Sequence, residues 1–227
     1  GGADQSLFGI NAANGALTFL SSRDFENPTD ADSNNTYLVE VTATDNGSPS
    51  KAAIQLVSVT ITDANDGVTI LQGTEVNATM SEDGSPIAWT TPDINASDPD
   101  GNETLTLAWT LQSAASNGVA TVSGFGANPN IVYTPNSNWN GADSFLVRVT
   151  EPGGSLTDDI SVNVTVTPQS DAPSVTTPST VSVAENQTAV IDVNATDLDT
   201  GESVTFSITG GADQAKFAIT SAGVITF

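Results

Sequence analysis

The sequence contains no cysteine and no histidine. Without thiols it can form neither a disulfide nor a thiolate metal site. Without imidazole it lacks the base that activates a serine or cysteine nucleophile, and a histidine-zinc centre is excluded too. Basic side chains are almost as scarce. Arg23, Lys51, Arg148 and Lys216 stand scattered against 27 acidic residues, for a net charge of −23. Nucleic acid and anionic membrane surfaces need clustered lysine and arginine, so neither is expected as a partner. No apolar run approaches the roughly 18 residues of a membrane-spanning helix, and no membrane insertion is expected. A phosphate-cradling glycine loop followed by lysine is also missing. Paired carboxylates can hydrolyse glycosides, but the acids here fall at seams between strand-rich segments. An enzyme is not expected.

What the sequence does contain is alternation. Thr, Val, Ser, Asn and Asp dominate, turn residues cluster about every ten positions, and no window has helical periodicity. This pattern marks an all-β chain of sandwich domains. Residues 1–66 hold four strand candidates: Leu7–Ile10, Ala16–Leu20, Thr36–Thr44 and Lys51–Thr62. Four are too few to close a sandwich. Residues 67–170 hold about seven, the clearest being Thr104–Leu111, Gly118–Val122, Asn130–Tyr133, Ser144–Thr150 and Ser155–Thr167, and they fit one complete domain. Residues 171–227 add Ser179–Ala184, Ala189–Ala195, Val204–Ile208, Lys216–Ile219 and Gly223–Phe227.

An internal repeat relates the two ends. Gly210-Gly211-Ala212-Asp213-Gln214 repeats Gly1-Gly2-Ala3-Asp4-Gln5, Phe217 and Ile219 follow in step with Phe8 and Ile10, and Thr226-Phe227 matches Thr18-Phe19 once one residue is dropped near Asn14. Residues 171–209 followed by 1–66 have the length of one sandwich domain cut between its middle strands. We expect a slice of a quasi-linear array, with the end of one copy completing the start of another, covalently or by exchange between chains. An open sheet edge would otherwise aggregate.

The seam around Asp63-Ala64-Asn65-Asp66 separates two strand runs, Ile54–Ile61 and Val68–Leu71. Three oxygen-bearing side chains there suit a hard cation, since Ca²⁺ takes roughly 6–8 oxygen ligands. A solvated acidic turn is the alternative. The excess negative charge likewise fits either bound divalent ions or a saline medium. Asp98-Pro99-Asp100-Gly101-Asn102 starts like an EF-hand loop, but its glycine is misplaced and the twelfth position is Trp109. Asp158-Asp159 reads as a solvated turn, and Glu103 and Glu202 as surface charges. Trp89, Trp109 and Trp139 could stack on sugar, although core packing is the commoner role of such rings.

Residues 171–227 joined to 1–66 resemble a cadherin repeat. Glu185 in Val183-Ala184-Glu185-Asn186 matches the family's first-strand glutamate. Asp197-Leu198-Asp199 matches its Asp-x-Asp pair, and Asp24-Phe25-Glu26 its Asp-x-Glu motif. Asp45 matches the aspartate closing the penultimate strand, and Asp63-Ala64-Asn65-Asp66 the linker, with Gly67 replacing the usual final Asn. The middle segment resembles the cadherin-like modules of large bacterial adhesins. That likeness rests on Tyr133-Thr134-Pro135-Asn136, Trp139–Phe145, Ser81-Glu82-Asp83-Gly84 and Asp98-Pro99-Asp100-Gly101. Glu151 stands where these modules often have Asp, and the linker Gln169–Pro173 keeps only Asp171.

The resemblance implies tandem cadherin-like, Ig-like Greek-key sandwiches in a linear array, with Ca²⁺ between successive domains. It groups Asp24, Glu26, Asp63, Asn65 and Asp66 with Asp98, Asp100 and Glu151 at a first joint, which also needs Glu185 from another copy. At a second joint it groups Glu82, Asp143 and Asp171 with Asp197 and Asp199, joined by Asp45 of the next copy. The function it implies is a calcium-rigidified spacer of a bacterial extracellular adhesin or surface filament. The competing class is a calcium-dependent module that binds other copies of itself or cell-surface polysaccharide. Exposed tryptophan rings would favour the latter.

Overall fold

The computed structural model describes residues 1–101, 103–154, 156–199 and 201–227. Residues 1–66 form two antiparallel hairpins. The short one joins β1 (Phe8–Ile10) and β2 (Leu17–Phe19) across Gly15, whose φ of 73° favours glycine at the turn. The long one joins β3 (Thr36–Thr44) and β4 (Ala52–Thr60) in unbroken register.

The middle segment contributes β5 (Thr69–Ile70), β6 (Glu75–Ser81), β7 (Ala96–Ser97) and β8 (Ala108–Ser113). It continues with β9 (Gly118–Ser123), β10 (Asn130–Pro135), β11 (Gly141–Thr150) and β12 (Thr157–Thr167). A four-stranded sheet runs β6-β12-β11-β8, with β6 parallel to β12 and the other pairs antiparallel. Side chains from β5, β7, β9 and β10 pack with this sheet into one core. Period-two alternation explains it: Phe145, Val147 and Val149 on β11 and Ile160, Val162, Val164 and Val166 on β12 all point inward. Each such burial stabilises by about 1.5–3 kcal/mol before entropy is counted. Thr104 and Leu105, read as the start of a strand, instead belong to a 3₁₀ turn, Glu103–Leu105, ahead of β8. Ser155, placed at the start of a strand by the sequence, lies outside the described residues.

The last segment holds β13 (Ser174–Val175), β14 (Ala189–Asp192), β15 (Ala195–Thr196), β16 (Ala218–Ile219) and β17 (Val224–Thr226). Two expected strands, Ser179–Ala184 and Val204–Ile208, are not formed, and the second makes one long backbone bond, from the Phe206 amide to the Ser221 carbonyl at 3.4 Å. The middle segment supplies the physical reason. There the strand before the Glu82 turn, β6, exists because β12 flanks it, and β8 exists because β11 flanks it. Residues 171–227 contain no hairpin corresponding to β11–β12 among the described residues. Conversely, β3–β4 is such a hairpin with no neighbouring strands of the β6 and β8 kind among the described residues. The end segments accordingly leave apolar side chains in water: Ile54 is 67% exposed, Leu198 62% and Phe227 56%.

The repeated motif folds the same way twice. Gln5–Leu7 and Gln214–Lys216 are 3₁₀ turns preceded by Asp4 and Asp213 with φ of −106° in both. Phe8 stacks on Phe19 at 4.4 Å, and Phe217 meets Phe227 at 4.9 Å.

Candidate metal centres

The turn at Asp98-Pro99-Asp100-Gly101 builds the first acidic centre. Asp98 Oδ1 accepts the Asp100 amide at 2.9 Å, and Gly101, at φ +47°, lets the chain reverse. Thr104 Oγ1 ties the turn from behind by accepting the Asp98 amide and donating to the Asp98 carbonyl. The linker then docks on this turn. The Asp66 amide donates to Asp100 Oδ2 at 2.7 Å. The Val68 amide donates to Glu151 Oε1 at 2.9 Å, and Asn65 Nδ2 to Glu151 Oε2 at 3.0 Å. Asp24 Oδ1 accepts the amides of Glu26 and Asn27, which shapes the loop that presents Glu26.

Two groups of carboxylates result. Oxygens of Glu26, Asp63 and Asp100 lie within 4.8 Å of one another, as do those of Asp98, Glu103 and Glu151. Asp98, Asp100 and Glu151 are all buried. Asp98 Oδ2, Asp100 Oδ1 and Glu103 Oε2 are closed off from solvent and accept no hydrogen bond. Burial raises the Asp98 carboxyl above its ordinary range; the Asp100 amide opposes this, and the Glu151, Asp100 and Asp66 charges reinforce it. Burial followed by the Asp98, Asp100, Glu151 and Asp63 charges raises Glu103. Glu26 is raised by burial, partly offset by a backbone hydrogen bond, with Asp63, Asp66 and Asp100 adding to the rise.

The second linker repeats the design. Asp197 Oδ1 accepts the Asp199 amide at 3.0 Å, and the Asp171 amide donates to Asp199 Oδ2 at 2.6 Å. Oxygens of Asp197, Asp199 and Glu202 lie within 4.8 Å of one another. From the other side, Glu82 Oε1 accepts the Gln169 amide at 2.6 Å. Burial raises the Asp171 carboxyl, and the charges of Asp83, Asp199, Glu82 and Asp197 raise it further.

The structure thus brings Asp24, Glu26, Asp63, Asn65, Asp66, Asp98, Asp100 and Glu151 to the first linker, and Glu82, Asp171, Asp197 and Asp199 to the second. Three of the sequence-picked acids, Glu185, Asp45 and Asp143, sit elsewhere within one chain. Glu185 lies exposed in a turn. Asp45 ties the β3–β4 turn, its Oδ1 accepting the Gly47 and Lys51 amides. Asp143 does not serve the second linker. Burial works to raise its carboxyl, but the Ser116, Asn117 and Ser144 amides and the Tyr133 hydroxyl all donate to it and hold it below the usual range. Both oxygens are engaged inside the core sandwich.

Two other readings also change. Glu103 is half-buried with its carboxylate among those of Asp98 and Glu151, whereas Glu202 is exposed, as read, with its carboxylate beside those of Asp197 and Asp199. A signal was present: both stand third in Asp-x-Asp-x-x-Glu, a pattern the two linkers share. Asp158-Asp159 is not a solvated turn but lies on β12, where Asp158 Oδ2 accepts the Ile70 amide and Asp159 pairs bidentately with Arg148 at 2.7 Å.

The donor set at both linkers is oxygen throughout, which suits Ca²⁺ and not a soft or imidazole-seeking metal. Buried carboxylate oxygens without donors are costly unless a cation meets them. The residues therefore fit a calcium ion.

Comparison with known proteins bears on the fold. Residues 64–167 match the model of the bacterial Ig domain family. Over 97% of its length the chain is 28% identical to mouse "Cadherin EGF LAG seven-pass G-type receptor 2". It is 30% identical over 88% of its length to the Drosophila "Protocadherin-like wing polarity protein stan". It spans only 8% and 6% of those proteins. Human CDH23 EC21-23 superposes with a TM-score of 0.57 at 22% identity, covering 97% of this chain and 70% of that one. The fold is cadherin-like. Protocadherin Gamma C5 EC1-3 agrees, with a TM-score of 0.54 at 19% identity, 98% of this chain and 75% of that one. In this all-β architecture the acidic centres lie where the segments around Asp66 and Asp171 meet the Asp-x-Asp turns. The tryptophans belong to that core: Trp109 is buried, and Trp89 and Trp139 pack half-buried against it. No helix of the described residues is long and apolar enough to cross a membrane.

Proposed function

We propose that this chain is a calcium-stiffened structural unit of an extracellular, linear adhesive array of the bacterial surface type, and that it is not catalytic. The observation that carries the reading is the duplicated linker geometry. Each linker amide, Asp66 or Asp171, is held by the second aspartate of an Asp-x-Asp turn. At the first linker that turn keeps carboxylate oxygens buried without donors. Ca²⁺, when bound, would supply the positive charge that these oxygens lack. Asp24, Glu26, Asp63, Asn65, Asp66, Asp98, Asp100, Glu103 and Glu151 would hold it at the first linker, with Glu185 of a preceding copy. Glu82, Asp171, Asp197, Asp199 and Glu202 would hold it at the second, with Asp45 of the following copy. Without the ion the clustered charges repel and the linker flexes; with it the inter-unit angle is held. The bacterial setting rests on the Ig-domain match.

The division into 1–66, 67–170 and 171–227 belongs to the same proposal, with copies of this chain as the partner. Asp4 is buried because its carboxylate accepts the Ala31 and Leu38 amides at 2.8 and 2.7 Å. Its twin Asp213 is exposed and meets only Lys216. A Cβ on Gly2 would strike the Leu38 carbonyl of β3 at 2.6 Å, whereas one on Gly211 would meet nothing within 4 Å. Residues 171–227 thus present the bed on which a β3–β4 hairpin lies, and another copy carries that hairpin. Head-to-tail completion, in one longer chain or between chains, gives an open array. The packed tryptophans lend no support to polysaccharide binding.

The experiment is a melting series in chelator, Ca²⁺ and matched Mg²⁺, with small-angle scattering of the same samples. A rise in Tm and in maximum dimension with Ca²⁺ alone is expected. An equal response to both ions would reduce the acids to solubility in salt and overturn the reading.

A further inference from the structure

Asp30 is a buried carboxylate away from both linkers. It is 6% exposed, and it faces into the loop Asp30-Ala31-Asp32-Ser33-Asn34-Asn35 because its Oδ2 accepts the Asn34 amide at 2.9 Å. Its Oδ1 is closed off from solvent and accepts nothing. Asn35 Oδ1, in the same loop, is likewise buried without a donor, while Asn35 Nδ2 donates to the Phe25 carbonyl at 2.9 Å. A second buried carboxylate adjoins: Asp4 caps the Ala31 amide. No basic side chain answers this charge. Among the described residues the ion pairs are Arg148 with Asp159 and Lys216 with Asp213, and Arg23 spends its guanidinium on Ser21 and Thr29. Two orphaned oxygens beside uncompensated buried charge are expensive unless a cation meets them.

The residue order answers the question of which cation. Asp30, Asp32 and Asn34 are oxygen donors at alternate positions, the opening of a calcium loop of the Asp-x-Asp-x-Asn type. The sixth position, where such loops need a left-handed residue, is Asn35 at φ 63°. The twelfth position is Val41 instead of a glutamate, so the loop lacks the bidentate closing ligand and should bind more weakly than a complete one. We propose that Asp30–Asn35 is a calcium site inside the domain, separate from the linker centres, using Asp30 Oδ1, Asp32 and the Asn34 and Asn35 side-chain oxygens. At present Asn34 Oδ1 accepts the Thr36 amide and its Nδ2 donates to Asp32; binding would turn these oxygens onto the ion. The ion would tie the entry of β3 to the segment carrying Asp24 and Glu26.

The test is an amide-resolved NMR titration of the full chain with Ca²⁺ and separately with Mg²⁺, on the parent, Asp32→Asn, Asp32→Ser and Asp98→Asn. Asp32 is exposed, so its replacement leaves the core untouched. The amides of residues 31–36 should shift with Ca²⁺ and not with Mg²⁺. Both Asp32 variants should weaken that response at least about tenfold while the shifts at Gly67 and Val68 persist, and Asp98→Asn should do the reverse. Loop shifts without linker shifts would uphold this site and sink the linker reading. Silent loop amides beside responding linkers would overturn the site. So would loop shifts that survive both Asp32 variants at unchanged affinity, or that vanish with Asp98→Asn.

Discussion

The Asp66 amide donates to Asp100 Oδ2 at 2.7 Å, and this one bond docks the first linker on the middle sandwich through a carboxylate whose other oxygen is buried without a donor. Asp171 and Asp199 repeat the relationship at 2.6 Å. The linker backbone therefore docks on the acids before any ion is considered, and the free oxygens on those acids determine what the joint can hold.

Asp98→Asn should have opposite signs in the two media. Asparagine keeps the oxygen that accepts the Asp100 amide and removes one of several repelling charges. In chelator the variant should melt at or above the parent temperature. In saturating Ca²⁺ it should lose much of the ion's contribution, which is about 2.7 kcal/mol at a hundredfold excess over Kd. Calorimetry in both media checks it; equal destabilisation in each would assign Asp98 to turn structure alone.

The pH dependence in chelator follows from linkage. Glu26, Asp98, Glu103 and Asp171 have folded pKa values above their ordinary ones. Between the two values the folded state holds more protons, so stability falls as pH rises through that window and the penalty is complete above it. Asp143 has the opposite sign: its contribution is present above the ordinary carboxylate range and is lost as pH falls through its lowered folded value. Denaturant melts in chelator should therefore show stability rising as pH drops toward the ordinary carboxylate range, then falling below it. With Ca²⁺ the upper limb should invert, because protons compete with the ion.

Tyr133→Phe should be insensitive to calcium. It removes the hydroxyl that donates to Asp143 at 2.9 Å in a buried setting. The expected loss is about 1.5–3 kcal/mol, the range for a hydrogen bond to a charged group. A denaturant midpoint shift of the same size with and without Ca²⁺ would place this residue in the core of the middle sandwich and outside the joints.

A rearranged chain, residues 171–209 followed directly by 1–170, should outlast the parent order. It supplies the β3–β4 hairpin with its missing neighbours in one molecule. Strands should then form at Ser179–Ala184 and Val204–Ile208, and exposed Ile54 and Leu56 should become protected. Analytical ultracentrifugation and hydrogen exchange read this out: a stable monomer with slowed exchange at 179–184 and 204–208 is expected. Unchanged exchange there would mean that the end segments do not form one domain.

Much of this was legible in the residues. Period-two alternation at Thr36–Thr44 and at Ser144–Thr150 became paired strands because side-chain direction in a strand depends on nothing beyond local geometry. The repeated Gly-Gly-Ala-Asp-Gln motif folded the same way twice for the same reason. The acids of Asp-x-Asp met their linkers because turn chemistry placed them there. What failed was non-local. Ser179–Ala184 reads as a strand but is not one, whereas Glu75–Ser81 is, because it has β12 to bond with. Asp143 looked like any other acid until four donors closed on it.

The sequence by itself determined the all-β class, the turn positions, the repeat and the concentration of oxygen donors at two seams, since these follow from local backbone preference and composition. Tertiary structure alone decided which carboxylates are spent on amides and which keep an oxygen free. That choice depends on donors contributed by distant strands, as Glu151 receives Val68 and Asp143 receives Ser116. It likewise decided that Glu75–Ser81 became a strand and Ser179–Ala184 did not, because a sheet edge is satisfied only by a strand that lies beside it.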